Sequence, residues 1–330
     1  MRLAWTVLLA HGRGIAGTLL VLVCTCAALA EAPAPLRKIV VIGASVSDGF
    51  GVRLRTQQED GRQPVVGVNV ANLLQAAARE PGMQVVSHAS SGYFSDPVRF
   101  ARDSVRKTTQ DAPTLVLAID WMFWNAYGLR GKDSGRLQTC DDRLALLESA
   151  CATLQPLAES GVPIVLGDLP DMQLAVEGGM LSQAMVPDAD CLRRLNEQLR
   201  AWTARYPNIA LLDLAALVRN VIDGKPVRAC NRDWCETDLG PLLQRDRLHP
   251  TLNGTLAVVA AALDAADRQT DGAASRAFDL DPATIRDRVS KQAGHRVDGT
   301  PVRNGAPVTK PSAAPPAQPA AAGSGSNPSP

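Results

Sequence analysis

Five short apolar runs stand out along the middle of the chain, and each is continuous instead of alternating with polar residues. They are residues 38–42 (KIVVI), 83–87 (MQVVS), 114–120 (TLVLAID), 163–167 (PIVLG) and 209–212 (IALL). Between them lie longer segments with apolar positions at helical spacing, at 65–79, 97–108, 141–157 and 188–206, and a last one at 252–267 rich in Ala, Val and Leu. A strand that is apolar on both sides of its pleat is covered on both faces. Strands of this kind alternating with helices predict an α/β fold, a doubly wound five-stranded parallel sheet flanked by helices. The usual order for five such strands is the flavodoxin-like 2-1-3-4-5, with ligands held at the carboxyl ends of the strands.

The two ends of the chain read differently. Arg2 and Arg13 precede an apolar run over 14–30, which ends in the small-x-small pattern Ala28-Leu29-Ala30. This predicts a Sec-type signal peptide over 1–30, cleaved before Glu31, and hence a secreted or periplasmic protein. The alternative, an uncleaved membrane anchor, needs roughly 20 apolar residues, more than the run supplies. Gly12-Arg13-Gly14-Ile15-Ala16-Gly17 matches the dinucleotide-binding fingerprint letter for letter. That fingerprint acts only between a strand and a helix, and here it has neither. From about residue 300 the chain is dense in Pro, Ala, Gly and Ser, with no Leu, Ile or aromatic residue. Such a stretch buries too little apolar surface to offset its ordering entropy. The predicted organisation is therefore a signal peptide at 1–30, a single folded domain at 31–270, and a tail at 271–330. The tail is polar at first, with one short helix at 282–293, then disordered, and is a candidate for association with the cell envelope.

Charge and cysteines narrow the chemistry. The 330 residues are 46% hydrophobic and carry a formal charge of +1. Two of the positive charges and no negative ones lie in the first thirty residues, so the remainder carries −1. No field for gripping a polyphosphate results, which argues against nucleic acid as a partner. Five cysteines remain after cleavage: Cys140, Cys151, Cys191, Cys230 and Cys235. In an oxidising compartment they allow two disulfides and one free thiol. Cys230 and Cys235 bracket a short polar loop and are expected to bond to each other. Cys140 and Cys151 lie on one helix about 16 Å apart, too far to pair, so either is open to Cys191. No Cys-x-x-Cys occurs, and with three histidines left (His88, His249 and His295) no metal site is expected.

The candidate chemistry stands at the ends of the strands. After the first comes Gly43-Ala44-Ser45-Val46-Ser47-Asp48-Gly49, after the second Ser87-His88-Ala89-Ser90-Ser91-Gly92, and after the third Asp120-Trp121-Met122-Phe123-Trp124-Asn125. Asp246-Arg247-Leu248-His249 stands just before the last long helix. A serine hydroxyl needs a base to take its proton, and a neutral imidazole suits that task near pH 7. Asp246, three residues before His249, can orient the ring through its other nitrogen. Glycines beside the nucleophile let backbone N–H groups point at a developing oxyanion. The set reads as nucleophilic acyl transfer without a cofactor.

These blocks resemble the SGNH or GDSL-like hydrolase superfamily over about residues 38–265. The resemblance implies Ser45 as nucleophile, with Ala44 where Asp is usual, and His249 and Asp246 as the last block. It implies an oxyanion hole from the N–H groups of Ser45 and Gly92. The family's third block usually supplies an Asn amide as a further donor, but Asp120 occupies that slot here. An ionised carboxylate would repel the oxyanion, so Asp120 must be protonated, turned away or paired with a cation. Asn125 is the replacement donor expected from further along the loop. Asp120, Trp121 and Trp124 are the candidates for binding substrate, the aromatics as a wall for a sugar or acyl group. The expected activity is that of an exported serine esterase on a small-molecule or carbohydrate ester. The alternatives are an O-acyltransferase acting on envelope carbohydrate and a catalytically faded binding module.

Overall fold

The computed structural model describes residues 36–56, 64–129, 137 and 139–292. The expected signal peptide and the Pro/Ala/Gly/Ser-rich tail lie outside the described residues. In chain order, the first half runs β1 (Lys38–Val41), β2 (Arg53–Arg55), β3 (Val65–Gly67), α1 (Val70–Ala77), β4 (Gln84–Ser87), α2 (Pro97–Asp111), β5 (Leu115–Ala118) and α3 (Cys140–Glu159). Then come β6 (Ile164–Gly167), α4 (Gln173–Glu177), α5 (Ala189–Thr203), β7 (Ile209–Leu212) and α6 (Leu214–Ile222). The last part holds β8 (Val227–Ala229), β9 (Arg232–Trp234), α7 (Glu236–Leu239), α8 (Leu252–Thr270), α9 (Ala273–Arg276) and α10 (Pro282–Gln292).

The main sheet has the order β4-β1-β5-β6-β7, with every pairing parallel. Counted within the sheet this is 2-1-3-4-5, as the alternation of runs predicts. Continuous hydrophobicity is explained by the packing. Ile39, Val41, Leu115, Leu117 and Val165 face one apolar layer, built with α1, α6 and α8. Val40, Ile42, Val116, Ala118 and Ile164 face the other, built with α2, α3 and α5. Among the described residues no helix is long and apolar enough to cross a membrane.

Four features depart from the expectations. The helical pattern of 65–79 divides: Val65–Gly67 pairs antiparallel with Arg53–Arg55, and the helix starts only after Asn69, whose side chain accepts from the Asn72 N–H while Asn72 returns the bond. The β-branched pair Val65-Val66 favours the strand, and the capping box fixes where it ends. Second, the fold continues past residue 270. Phe278, Ile285 and Val289 are buried, and Ala78 bridges to Phe278. Third, α6 comes directly after β7, where no helix is expected from the pattern.

The fourth departure lies in the cysteines, where one expected disulfide is absent and Cys140 is the one of the two open partners that takes Cys191. Cys140 bonds to Cys191, joining the first turns of α3 and α5 with their Cα atoms 5.5 Å apart. Closing this 51-residue separation stabilises the fold by about 4 kcal/mol in the chain-entropy picture. The expected Cys230–Cys235 bond is absent: both are free thiols, as is the buried Cys151. Cys230 and Asn231 form a two-residue hairpin turn with φ of 49° and 57°, and β9 runs back from it to Cys235. At about 3.3 Å per strand residue, that extended run carries the two thiols beyond disulfide reach. Cys230 Sγ instead donates to the Ala260 carbonyl, and burial pushes its pKa up to about 12.

Candidate active site

Ser45 enters the site from the loop after β1. Its Oγ lies 2.9 Å from His249 Nε2, across 204 residues of chain. His249 Nδ1 lies 2.8 Å from Asp246 Oδ2. The other oxygen of Asp246 accepts from the N–H groups of Leu248 and His249, each at 3.0 Å. Arg247 takes a left-handed φ of 55°, folding the segment tightly enough for one carboxylate to hold both backbone and ring. Burial acts to raise the Asp246 pKa, but the hydrogen bonds from the His249 backbone and ring and from Leu248 outweigh it, and the carboxyl sits below its usual range. His249 is buried, with the Phe50 ring centred 4.5 Å from its own.

The loop that carries Ser45 is held by Asp120. Its carboxylate accepts from the N–H groups of Ala44 (3.0 Å), Val46 (2.8 Å) and Ser47 (3.4 Å) and from the Ser47 hydroxyl (2.5 Å). Of the four consecutive N–H groups from Ala44 to Ser47, that of Ser45 alone has no acceptor among the described residues. The loop is thus pinned on both sides of the one free donor. Burial pushes the Asp120 carboxyl above its ordinary pKa, while Ser47 and the loop N–H groups pull it back. Gly43 belongs to the same arrangement, since a Cβ there would collide with Asp120 Oδ1 and Ser47 Oγ. Replacing Asp120 with Ala strands three N–H groups. At about 1–3 kcal/mol per buried unpaired group, a loss of about 3–5 kcal/mol is expected in urea unfolding. A loss below about 1 kcal/mol would mean that water or another side chain can do the same work.

The second loop is tied to the first. Ser90 N–H donates to the Gly43 carbonyl (3.0 Å), and the Ser91 N–H and hydroxyl both reach Asp48 Oδ2 (2.8 and 2.6 Å). Gly92, the expected second oxyanion donor, gives its N–H to Ser90 Oγ at 3.2 Å. Asn125 is corrected as a donor: it is buried, and its amide donates to Tyr93 Oη (3.3 Å) and the Trp121 carbonyl (3.1 Å). Both of its N–H bonds are engaged, one by Tyr93 of the second loop and one by Trp121 of its own, so neither is left for an oxyanion. Trp121 is likewise corrected as a substrate contact, whereas Asp120 borders the cavity beside Ser45. Asp120 turns to the loop that carries Ser45, and Trp121 is fully buried with its indole N–H on Ser104 Oγ (3.0 Å). Trp124 is buried between Phe123 and the exposed Phe94, at ring-centre distances of 5.0 and 5.9 Å. Asp168 caps α6 through the Ala215 N–H (2.8 Å).

A narrow cavity of about 60 Å³ opens beside Ser45. Its walls include Leu214, Leu217, Val218 and Val221 from α6 and Ala257 and Val258 from α8. None of these stands out as a site residue in the sequence, although the α6 positions keep the i, i+3, i+4, i+7 spacing of a helix face. Phe50 is equally hidden there, because nothing local marks which aromatic covers a histidine two hundred residues away. Among the described residues no cluster of His, Cys, Asp or Glu could hold a metal ion.

The chain matches no protein-family model and no curated protein sequence. Among solved structures it is similar to the lipase/acylhydrolase from Enterococcus faecalis, at 16% identity and TM-score 0.43 over 71% of this chain and 96% of that one. It is similar to Axe2, an acetylxylan esterase from Geobacillus stearothermophilus, at 19% identity and TM-score 0.45 over 71% and 95%. A third is LAE5, an alpha/beta hydrolase enzyme from the metagenome of Lake Arreo, Spain, at 17% identity and TM-score 0.44 over 71% and 96%. With its parallel sheet in the order 2-1-3-4-5, the chain has the doubly wound α/β fold expected from its sequence, and the serine after the first strand and the Asp-x-x-His ahead of α8 meet at the carboxyl edge of that sheet.

Proposed function

We propose that the protein is an exported serine esterase. The observation that carries this reading is the unbroken line of hydrogen bonds from Ser45 Oγ through His249 to Asp246, beside an N–H without an acceptor. In the proposed reaction His249 Nε2 takes the hydroxyl proton as Ser45 Oγ bonds to the ester carbonyl carbon. The carbonyl oxygen, now negative, is held by the Ser45 N–H. The Gly92 N–H joins it once the Ser90 hydroxyl gives way. Collapse of the adduct expels the alcohol, which receives the proton from His249. Water, activated by the same nitrogen, then releases the acid and restores Ser45. Asp246 holds the ring in the tautomer that leaves Nε2 free to accept, and stabilises the imidazolium that forms. The proposed steps use only these side chains, the loop N–H groups and water.

An intact proton path favours an enzyme over a binding module, since a module has no use for a serine poised on an imidazole. The decisive test is covalent. A fluorophosphonate probe is expected to add one label per chain, on Ser45, as read by mass spectrometry of the digested protein. A label elsewhere, or none, would overturn the reading.

A further inference from the structure

We propose that the cavity beside Ser45 is the acyl site, and that it selects an ester of a short, unbranched apolar acid longer than acetate. This rests on the esterase reading above. The first support is the character of the walls. Leu214, Leu217, Val218 and Val221 form one face of α6, and that face borders an open space. Opposite, α8 contributes Gly254, Ala257 and Val258, two of them small enough to leave the space open. Ser45 and Asp120 are the only polar residues on the lining among the described residues, and the Asp120 carboxylate is already engaged by the nucleophile loop. A sugar placed there would bury hydroxyls without partners, whereas a hydrocarbon chain would bury none.

The second support is direction. Ser45 lines the cavity but the His249 ring does not. The alcohol must leave within reach of His249 Nε2, on the side where Phe50 covers the ring. The cavity is therefore left to the other half of the ester. The third support is size. The space is small, about 60 Å³, enough for a short hydrocarbon chain and not for a long one. Hexanoyl places five carbons beyond the carbonyl. Acetyl leaves most of the space empty, and dodecanoyl overruns it.

The experiment is a series of p-nitrophenyl esters from acetyl to dodecanoyl with the intact protein. Each buried methylene is expected to raise kcat/KM by about fourfold, so hexanoyl should exceed acetyl by on the order of 10²-fold before the profile turns down. Val218→Phe, which narrows the cavity, is expected to lower the hexanoyl-to-acetyl ratio at least about tenfold. Ala257→Leu, on the opposite wall, should do the same and serves if the first variant fails to fold by circular dichroism. A wild-type profile that falls steadily from acetyl, or a ratio indifferent to both wall variants, overturns the acyl site while leaving the esterase intact. No turnover of any ester together with no phosphonate label would instead overturn the esterase reading itself.

Discussion

Ser45→Ala is expected to lower kcat for a nitrophenyl ester by on the order of 10⁶-fold, the loss typical when a triad nucleophile is removed. What remains would be the rate that binding and the Ser45 backbone N–H supply without a nucleophile. That N–H survives the change, because alanine keeps the backbone and Asp120 still pins the N–H groups of residues 44, 46 and 47. Ser45 is half-buried, and its hydroxyl serves His249 alone among the described residues. Stability is therefore expected to move by less than about 0.5 kcal/mol. The measurement is initial-rate kinetics beside a urea unfolding curve. Activity within tenfold of wild type would show that another residue carries the acyl group.

Asp246→Asn is expected to lower kcat by about 10⁴-fold through the tautomer of His249. In the native site one carboxylate oxygen accepts from two backbone N–H groups and the other accepts from Nδ1–H. Asparagine has only one oxygen. If that oxygen keeps the backbone bonds, the amide N–H₂ faces Nδ1 and favours the ring with its proton on Nε2, which cannot receive one from Ser45. The same change has a signature in stability. The Asp246 carboxyl lies below its ordinary value in the folded protein. Its contribution is thus present above the unfolded value near 3.9 and is lost as pH falls through the lower folded one. Wild type should lose stability on acidification below about pH 4, and the variant should lose less of it. Urea midpoints at pH 7 and pH 3 decide the point. An equal loss in both proteins would assign the acid sensitivity to other carboxylates.

The sheet is legible in the sequence because its strands are buried on both faces, a pattern that survives in composition alone. Runs such as 38–42 and 163–167 have no amphipathic alternative. Ser45 and the Asp-x-x-His segment are legible for a local reason: each lies where the doubly wound fold brings strand ends together. Asp120 is harder. Its place in the third block marks it as out of pattern, but only the structure shows it bonded to the N–H groups of Ala44, Val46 and Ser47. The carboxylate is met by the loop itself, through these N–H groups and the Ser47 hydroxyl. Asn125 and Trp121 fail as site residues because residue type reveals what a side chain can bond to, not which neighbour reaches it first. Tyr93 and Ser104 do. Cys230 and Cys235 fail as a pair because closeness in sequence is not closeness in space when the intervening residues are extended. The α6 wall is visible as a helical stripe, yet its place beside Ser45 depends on β7 and α8 packing on the same face.

The serine and its imidazole come from opposite ends of the fold, with most of the sheet threaded between them. Neither half can supply a working proton relay, so on the proposed esterase reading ester turnover would report completed folding of the whole molecule. If the chain is exported as proposed, crossing a membrane unfolded would leave it harmless to esters on the near side, and it would switch itself on by folding after arrival.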